Sequence, residues 1–206
     1  MSQYFRIHPQ NPQKRLVQQA AAIVQAGGVI VYPTDSAYAL GCRLGDKSAL
    51  DRICAIRRLA SDHQFTLTCR DLSEISTYAV VGNSEFRLLK ALTPGSYTFV
   101  LPATREVPKR LLNPKRRTIG LRVPDHVIAQ ALLAAVGAPL LTTTLILPGE
   151  SEPLTDPDEI RAKLEHQVDL VIDGGPGEQA RTTVVDLLGS EPVIMRAGKG
   201  DTSVFA

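Results

Sequence analysis

The chain has no tryptophan, three cysteines, and five residues each of tyrosine and phenylalanine among its 206. With so few aromatic side chains there is no platform on which successive single-stranded bases could stack, so sequence-specific reading of single strands is excluded. Cys42, Cys54 and Cys69 are widely spaced. No pair sits two or three residues apart, which excludes a zinc knuckle or a redox motif and leaves small buried hydrophobes in a reducing compartment. His8, His63, His126 and His166 also lack metal-ligand spacing, so no dedicated metal site is expected. The apolar stretch around Leu145–Leu147 is too short to cross a bilayer. The opening Met-Ser-Gln-Tyr-Phe-Arg-Ile-His-Pro holds no apolar signal region. A cytoplasmic protein without a membrane partner is expected. Three chemical cradles are missing too. Gly198-Lys199-Gly200 lacks the spacing and following helix of a phosphate loop, and neither Gly-x-Gly-x-x-Gly nor Gly-x-Ser-x-Gly occurs.

What is present is an ordinary globular composition, 44% hydrophobic and 21% charged, on a length that suits one domain over residues 1–206. The pattern predicts helices over Lys14–Ala26, Lys47–Arg58, Leu72–Ala79, Ser84–Leu92 and Asp125–Val136. Another runs from Asp156 to about His166, with Asp156 as cap and Pro157 in first position. Strands are predicted at Val29–Tyr32, Ala37–Cys42, Phe65–Cys69, Tyr97–Leu101, Thr118–Val123, Pro139–Leu147, Leu170–Ile172, Thr183–Leu188 and Val193–Arg196. Strands alternating with helices give an α/β fold. In the last third strands follow one another without helices, so the sheet is expected to be mixed rather than purely parallel.

Charge is uneven. Arg105–Arg117 holds six basic residues and one acidic one, leaving the rest of the chain net acidic. Lys109, Arg110, Lys115, Arg116 and Arg117 could attract phosphate or RNA, or form a solvated basic loop. Four polar segments sit at strand ends: Pro33-Thr34-Asp35-Ser36, Thr142-Thr143-Thr144, Asp173-Gly174-Gly175 with Thr182-Thr183, and Arg196-Ala197-Gly198. Taken singly, each is what an ordinary turn or strand contains.

Taken together and in order, these segments resemble a known family. Tyr32-Pro33-Thr34-Asp35-Ser36-Ala37-Tyr38 is similar to its strand-turn signature, and Thr93-Pro94-Gly95-Ser96-Tyr97-Thr98 to its Pro-Gly-Pro-x-Thr segment. Gly120-Leu121-Arg122-Val123-Pro124 matches Gly-x-Arg-x-Pro. Asp173-Gly174-Gly175 through Thr182-Thr183-Val184-Val185-Asp186, then Arg196 and Gly198, match its ending. The family is the YrdC/YciO group of threonylcarbamoyl-AMP synthases, and the chain looks like its YciO branch. The resemblance implies a twisted open mixed sheet with a concave basic face. It also implies synthesis of threonylcarbamoyl-AMP from L-threonine, bicarbonate and ATP with Mg²⁺, for tRNA modification. By position, Thr34 would contact threonine, and Arg122 would hold a carboxylate or phosphate. Arg57 and Arg122 would act on the reacting groups, and Arg57, Thr142, Thr144, Thr182 and Arg196 would bind nucleotide. Arginine suits such oxyanions through its planar fork.

The departures are equally specific. Where the family has Lys-x-Arg this chain has Arg57-Arg58-Leu59, so the second cation is replaced by leucine. The family's Lys-Pro-Leu appears as His63-Gln64-Phe65, and its Ser-x-Asn as Thr144-Leu145-Ile146. Loss of cations and donors from a site where charge develops costs rate. An alternative is therefore a non-catalytic relative that binds double-stranded RNA, tRNA or rRNA through the basic segment.

Overall fold

Successive side chains of a strand point to opposite faces, so each strand's two-residue alternation states what lies above and below it. Residues 1–60 and 63–205 are described by the computed structural model; Ala206, the last residue of the predicted domain, lies outside them. Among the described residues are ten strands: β1 (Gln3–Arg6), β2 (Ile30–Tyr32), β3 (Ala39–Arg43), β4 (Thr66–Thr68), β5 (Tyr97–Pro102), β6 (Thr118–Arg122), β7 (Leu140–Thr144), β8 (Leu170–Asp173), β9 (Thr183–Asp186) and β10 (Val193–Arg196). Six α-helices accompany them: α1 (Lys14–Gln25), α2 (Lys47–Arg57), α3 (Leu72–Tyr78), α4 (Asn83–Leu92), α5 (Val127–Val136) and α6 (Pro157–Leu164).

The strands form one mixed sheet in the order β1-β8-β2-β3-β7-β4-β6-β5-β9-β10. Strands β1, β8 and β2 run parallel, β3 and β7 each run antiparallel to both neighbours, and the pairs β4–β6 and β5–β9 are again parallel. The expected α/β class and mixed sheet are therefore present. Strand β1 was not anticipated, because Gln3-Tyr4-Phe5-Arg6 has polar ends and only four residues. Its partner, Leu170–Asp173, is supplied from the far end of the sequence.

On one face, Leu40, Cys42, Leu67, Phe99, Leu121 and Val185 build the larger core, closed by Ile53 of α2, Ile75 of α3, Leu89 of α4 and Ile160 of α6. On the other face, Ile30, Tyr32, Leu140, Leu170 and Ile172 are covered by Val17, Ala20 and Val24 of α1 and by Ile128, Leu132 and Leu133 of α5. Each such aliphatic side chain contributes about 1.5–3 kcal/mol by leaving water. This second cluster ends at Leu140 of β7. From Thr142 onward the same face changes character: Thr66, Thr98, Gly120 and Thr182 stand where aliphatic side chains would be needed to seat a helix, and a cavity opens there.

Helix ends follow their capping chemistry. Asp46 accepts from Ala49 N–H at 2.9 Å, and Asp156 caps α6 with Pro157 behind it, as the sequence predicts. At the end of α2, Arg58 takes a left-handed conformation, its N–H reaching Ala55 O and Leu59 N–H reaching Cys54 O. That double closure is the Schellman arrangement. It leaves Arg57 in the last helical turn and packs Leu59 against the larger core. The position that carries the family's second cation is thereby turned inward. Gly137, at φ 73, ends α5 in the left-handed region that favours glycine.

Candidate functional site

The turn after β2 is built by its own hydroxyls. Thr34 Oγ1 donates to Ala37 O at 2.7 Å and accepts from Ser36 N–H at 3.1 Å. Its side chain is thus committed within the turn, which does not bring Thr34 onto the cavity wall. The turn instead aims Asp35 at Arg122 of β6, forming a short ion pair with side-chain exposures of 7% and 9%. Ser96 donates to Asp35 Oδ2 at 2.9 Å, and Lys199 Nζ donates to Asp35 O at 2.7 Å and to Glu178 at 2.6 Å. Arg122 lines the cavity, but its charge is already matched by Asp35, while its buried Nε has no hydrogen-bond partner among the described residues.

The cavity, about 490 Å³, lies over β3, β7, β4, β6, β5 and β9. Period-two alternation explains its floor: Ala37 and Ala39, Thr142 and Thr144, Thr118 and Gly120, Thr98 and Val100 are same-face neighbours along single chain segments. The hydroxyls are cross-linked, Thr98 to Thr182 at 2.9 Å and Thr68 to Thr142 at 2.9 Å, with Thr142 also within 3.1 Å of Thr66 O. The result is a rigid surface of donors and acceptors rather than an apolar seat. Thr142, Thr144 and Thr182, expected at a nucleotide site, are all on it.

Arg57 is tied to this wall through its Nη1, which donates to Thr143 Oγ1 at 2.8 Å and, in a short bond, to Thr144 O. The same Thr143 hydroxyl lies 3.1 Å from His63 Nε2. Arg57 Nε is buried with no hydrogen-bond partner among the described residues. On the other side, β10 carries a bulge. Ile194 opposes Val185 while Arg196 opposes Val184, so Met195 is the extra residue. Regular alternation would send Met195 and Arg196 to opposite faces; the bulge lets both line the cavity. Arg196 then donates to Thr182 O at 3.0 Å. Burial lowers the proton affinity of Arg57 and Arg196 below the usual guanidinium value, and the nearby Arg181 charge lowers both further.

The basic segment, expected to attract phosphate or RNA, keeps its five candidate side chains exposed, two of them with partners in the fold. Arg116 lines the cavity and pairs with Asp186 at 2.8 Å, and Arg110 donates to Gly45 O at 2.7 Å. Asn113, holding the Lys115 and Arg116 N–H groups at 3.0 Å, folds the segment over the cavity edge. Lys109, Lys115 and Arg117 are exposed, as are Arg110 and Arg116. The Asp173-Gly174-Gly175 loop does not reach the cavity. Tyr38 holds it, donating to Gly175 O at 2.7 Å and accepting from Gly174 N–H at 3.2 Å. Arg181, Asp35 and Met195 were missed by the sequence motifs. Asp35 lies inside a quoted motif and was legible as a turn carboxylate; nothing in the sequence marks Arg181.

An open mixed sheet with a hydroxyl-floored cavity places the chain among the α/β proteins, and comparison sharpens that class to a family. Residues 22–198 match the Sua5/YciO/YrdC family, described as telomere recombination. The protein called uncharacterized protein YciO of Escherichia coli is 60% identical over 205 residues, spanning 100% of both chains. The crystal structure of E. coli YciO superposes with a TM-score of 0.96 at 59% identity, again covering 100% of both chains. A threonylcarbamoyl-AMP synthase of Vibrio vulnificus is 28% identical, covering 82% of this chain and 91% of that protein. The fold is also that of P. abyssi Sua5 crystallised with L-threonine, with a TM-score of 0.86 at 24% identity, over 95% of this chain and 57% of that one. The chain belongs to the Sua5/YciO/YrdC family.

Proposed function

We propose that this chain binds ATP, L-threonine and bicarbonate in the cavity over β3–β9 and joins them as threonylcarbamoyl-AMP for tRNA modification. The observation that carries the reading is the bare half of the sheet face, with a cross-linked hydroxyl floor, Arg196 in its lining and Arg57 bonded to its Thr143, neither arginine met by a carboxylate among the described residues. In such a reaction the threonine amine adds to the carbon of bicarbonate, with loss of water. A carbamate oxygen then attacks the α-phosphorus, and pyrophosphate leaves. Most of the catalytic work is alignment and stabilisation of charge. The cross-linked threonines hold the floor in a fixed shape, and Arg57 and Arg196 supply charge for the departing phosphates. The Asp35–Arg122 pair holds the β2–β3 turn against the cavity rim. Asp35, Asp186 and Glu178 are each engaged by a cation, so Mg²⁺ entering with ATP would be held chiefly by phosphate oxygens.

The test is to incubate the full chain with ATP, Mg²⁺, L-threonine and bicarbonate and to measure pyrophosphate and the adenylate. Product from the native protein, and none from Arg57→Ala, supports the proposal. No product, with ATP unbound at saturating Mg²⁺, overturns it.

A further inference from the structure

Thr142 and Thr144 share one side of β7, so Thr143 between them points to the other. That is the side on which Leu141 and Leu145 join the larger core with Ile53 of α2. Thr143 is buried, and its hydroxyl meets side chains from two different elements. Arg57 Nη1, from the last turn of α2, lies 2.8 Å away, and His63 Nε2, from the segment leading into β4, lies 3.1 Å away. His63 itself lines the cavity, its ring set edge-on to buried Phe65 with centroids 4.9 Å apart and planes at 83°. One hydroxyl thus joins α2, beneath the sheet, to the end of the cavity.

The hydrogens on these three groups follow from counting. A guanidinium has donors and no acceptor, so Thr143 Oγ1 accepts from Arg57. A hydroxyl carries one hydrogen, and the acceptor that Thr143 meets is His63 Nε2. Nε2 is then bare, the ring is neutral, and its hydrogen sits on Nδ1. With the opposite polarity, Nε2–H donating to Thr143, the hydroxyl hydrogen would have no acceptor among the described residues. An imidazolium there would also set a second cation against Arg57 across one oxygen atom. We propose that His63 is a positioning residue for Arg57: by accepting the Thr143 hydrogen it holds that hydroxyl with a lone pair towards α2, which fixes the guanidinium at the cavity end. The bonds run one way, from Arg57 to Thr143 to His63, and each donor is polarised by the one before it. Arg57 Nη1 also donates to Thr144 O, so the relay sets the orientation of the guanidinium rather than its attachment. His63-Gln64-Phe65 stands where the family pattern reads Lys-Pro-Leu. A lysine has only donors and could not receive the Thr143 hydrogen, so His63 and Arg57 work as a set. The inference deepens the nucleotide reading and rests on it for the anion that Arg57 meets, though not for the relay itself.

The experiment has two arms, both on the full chain. Nitrogen NMR of the histidine rings at neutral pH, with the His63 signals assigned by their loss in His63→Gln, should show Nε2 bare and Nδ1 protonated. The Nε2 signal should move in Thr143→Val. A hydrogen on Nε2 of the native protein overturns the relay. Calorimetric titration with inorganic pyrophosphate reads the consequence. His63→Ala should weaken binding about tenfold, the worth of one hydrogen bond in a charged chain. His63→Gln, whose amide oxygen can accept from Thr143, should recover most of the loss, and His63→Lys should not. Thr143→Val should cost a similar factor, and His63→Ala added to it should cost nothing more. Additive losses would mean that His63 meets the ligand itself, and the positioning role would be rejected. Native binding in His63→Ala at a lowered Tm would reduce His63 to a part of the fold and overturn the proposal, with the nucleotide reading intact. If the native chain binds neither pyrophosphate nor ATP, the nucleotide reading falls, and the nitrogen spectrum alone upholds or overturns the relay.

Discussion

The two halves of one sheet face solve different problems with the same geometry. Over β1, β8, β2 and β3 the inward residues are Ile30, Tyr32, Leu170 and Ile172, and two helices pack on them. Over β7, β4, β6, β5 and β9 the equivalent positions hold Thr142, Thr66, Gly120, Thr98 and Thr182, and a cavity takes the helices' place. The boundary falls inside a single strand: Leu140 belongs to the covered half, and Thr142, two residues on, to the bare one. One half is held by the removal of apolar surface from water. The other is held by hydroxyl cross-links and one buried ion pair. A surface that must receive a ligand cannot also be stabilised by a helix lying on it.

That contrast can be broken at several points. The largest effect is expected from Asp35→Ala, which strands Arg122 as a buried, unanswered charge and should cost about 3–5 kcal/mol in denaturant unfolding. Asp35→Ala proving harmless would mean that the bare half does not depend on its ion pair. In the covered half, Leu132→Ala should cost about 2–5 kcal/mol, whereas Thr98→Val, which removes one hydroxyl cross-link at 2.9 Å, should cost only about 1 kcal/mol. Equal costs in the same unfolding series would erase the distinction between the halves. Pyrophosphate at about a hundred times its Kd should raise stability by about 2.7 kcal/mol, read as a rise in Tm that disappears in Arg57→Ala.

A smaller effect concerns the joint between the halves. His126 caps α5 by accepting Ala129 N–H, and burial lowers its proton affinity below the ordinary value of 6.5. Asp35 and Asp125 pull it up, while Arg122 and Lys199 push it down. The folded protein therefore binds this proton less readily than the unfolded chain. The cap's stability is present in full above pH 6.5 and declines as pH falls below it. His126→Asn keeps a side-chain acceptor without a titrating ring, so its Tm should fall less steeply than the native Tm between pH 7 and about 5. Parallel slopes would reject the assignment. Smallest of all, replacing Lys109, Lys115 and Arg117 together by glutamine should shift stability by no more than about 0.5 kcal/mol per site and leave pyrophosphate binding unchanged. A loss of binding would extend the site to the exposed basic segment.

Much of the covered half was legible in the sequence because it is written in periodicity. Leu16 through Val24 and Ile128 through Val136 show helical spacing, and Asp156-Pro157 announces a helix start. The bare half was legible as a set of polar segments but not as a surface. Threonine is common in strands, and only the register of β4, β5, β6, β7 and β9 shows that these threonines share one face. Arg116 and Arg122 were readable as cations, but not as cations already matched by Asp186 and Asp35. Pairing across 70 or 87 residues depends on strand order. Pro139–Leu147 was expected to run on as strand, yet β7 stops at Thr144, where Tyr38 takes over the Leu145 N–H through its carbonyl.

The bond from Lys199 to the carbonyl of Asp35 joins positions 164 residues apart. During synthesis the β2–β3 turn is made early, but the group that fastens it emerges only after nearly all of the sheet has been translated. At the ~5–20 residues per second of synthesis, that interval is roughly 8–30 s. Throughout it the aspartate turn has no lysine against it, and the rim of the cavity cannot take its final shape. The covered half, with α1 against β2, can begin to form locally in that time. The half with the cavity is the last part of the molecule to become itself, and a chain ending before Lys199 would carry a partly formed core and an unfinished cavity rim.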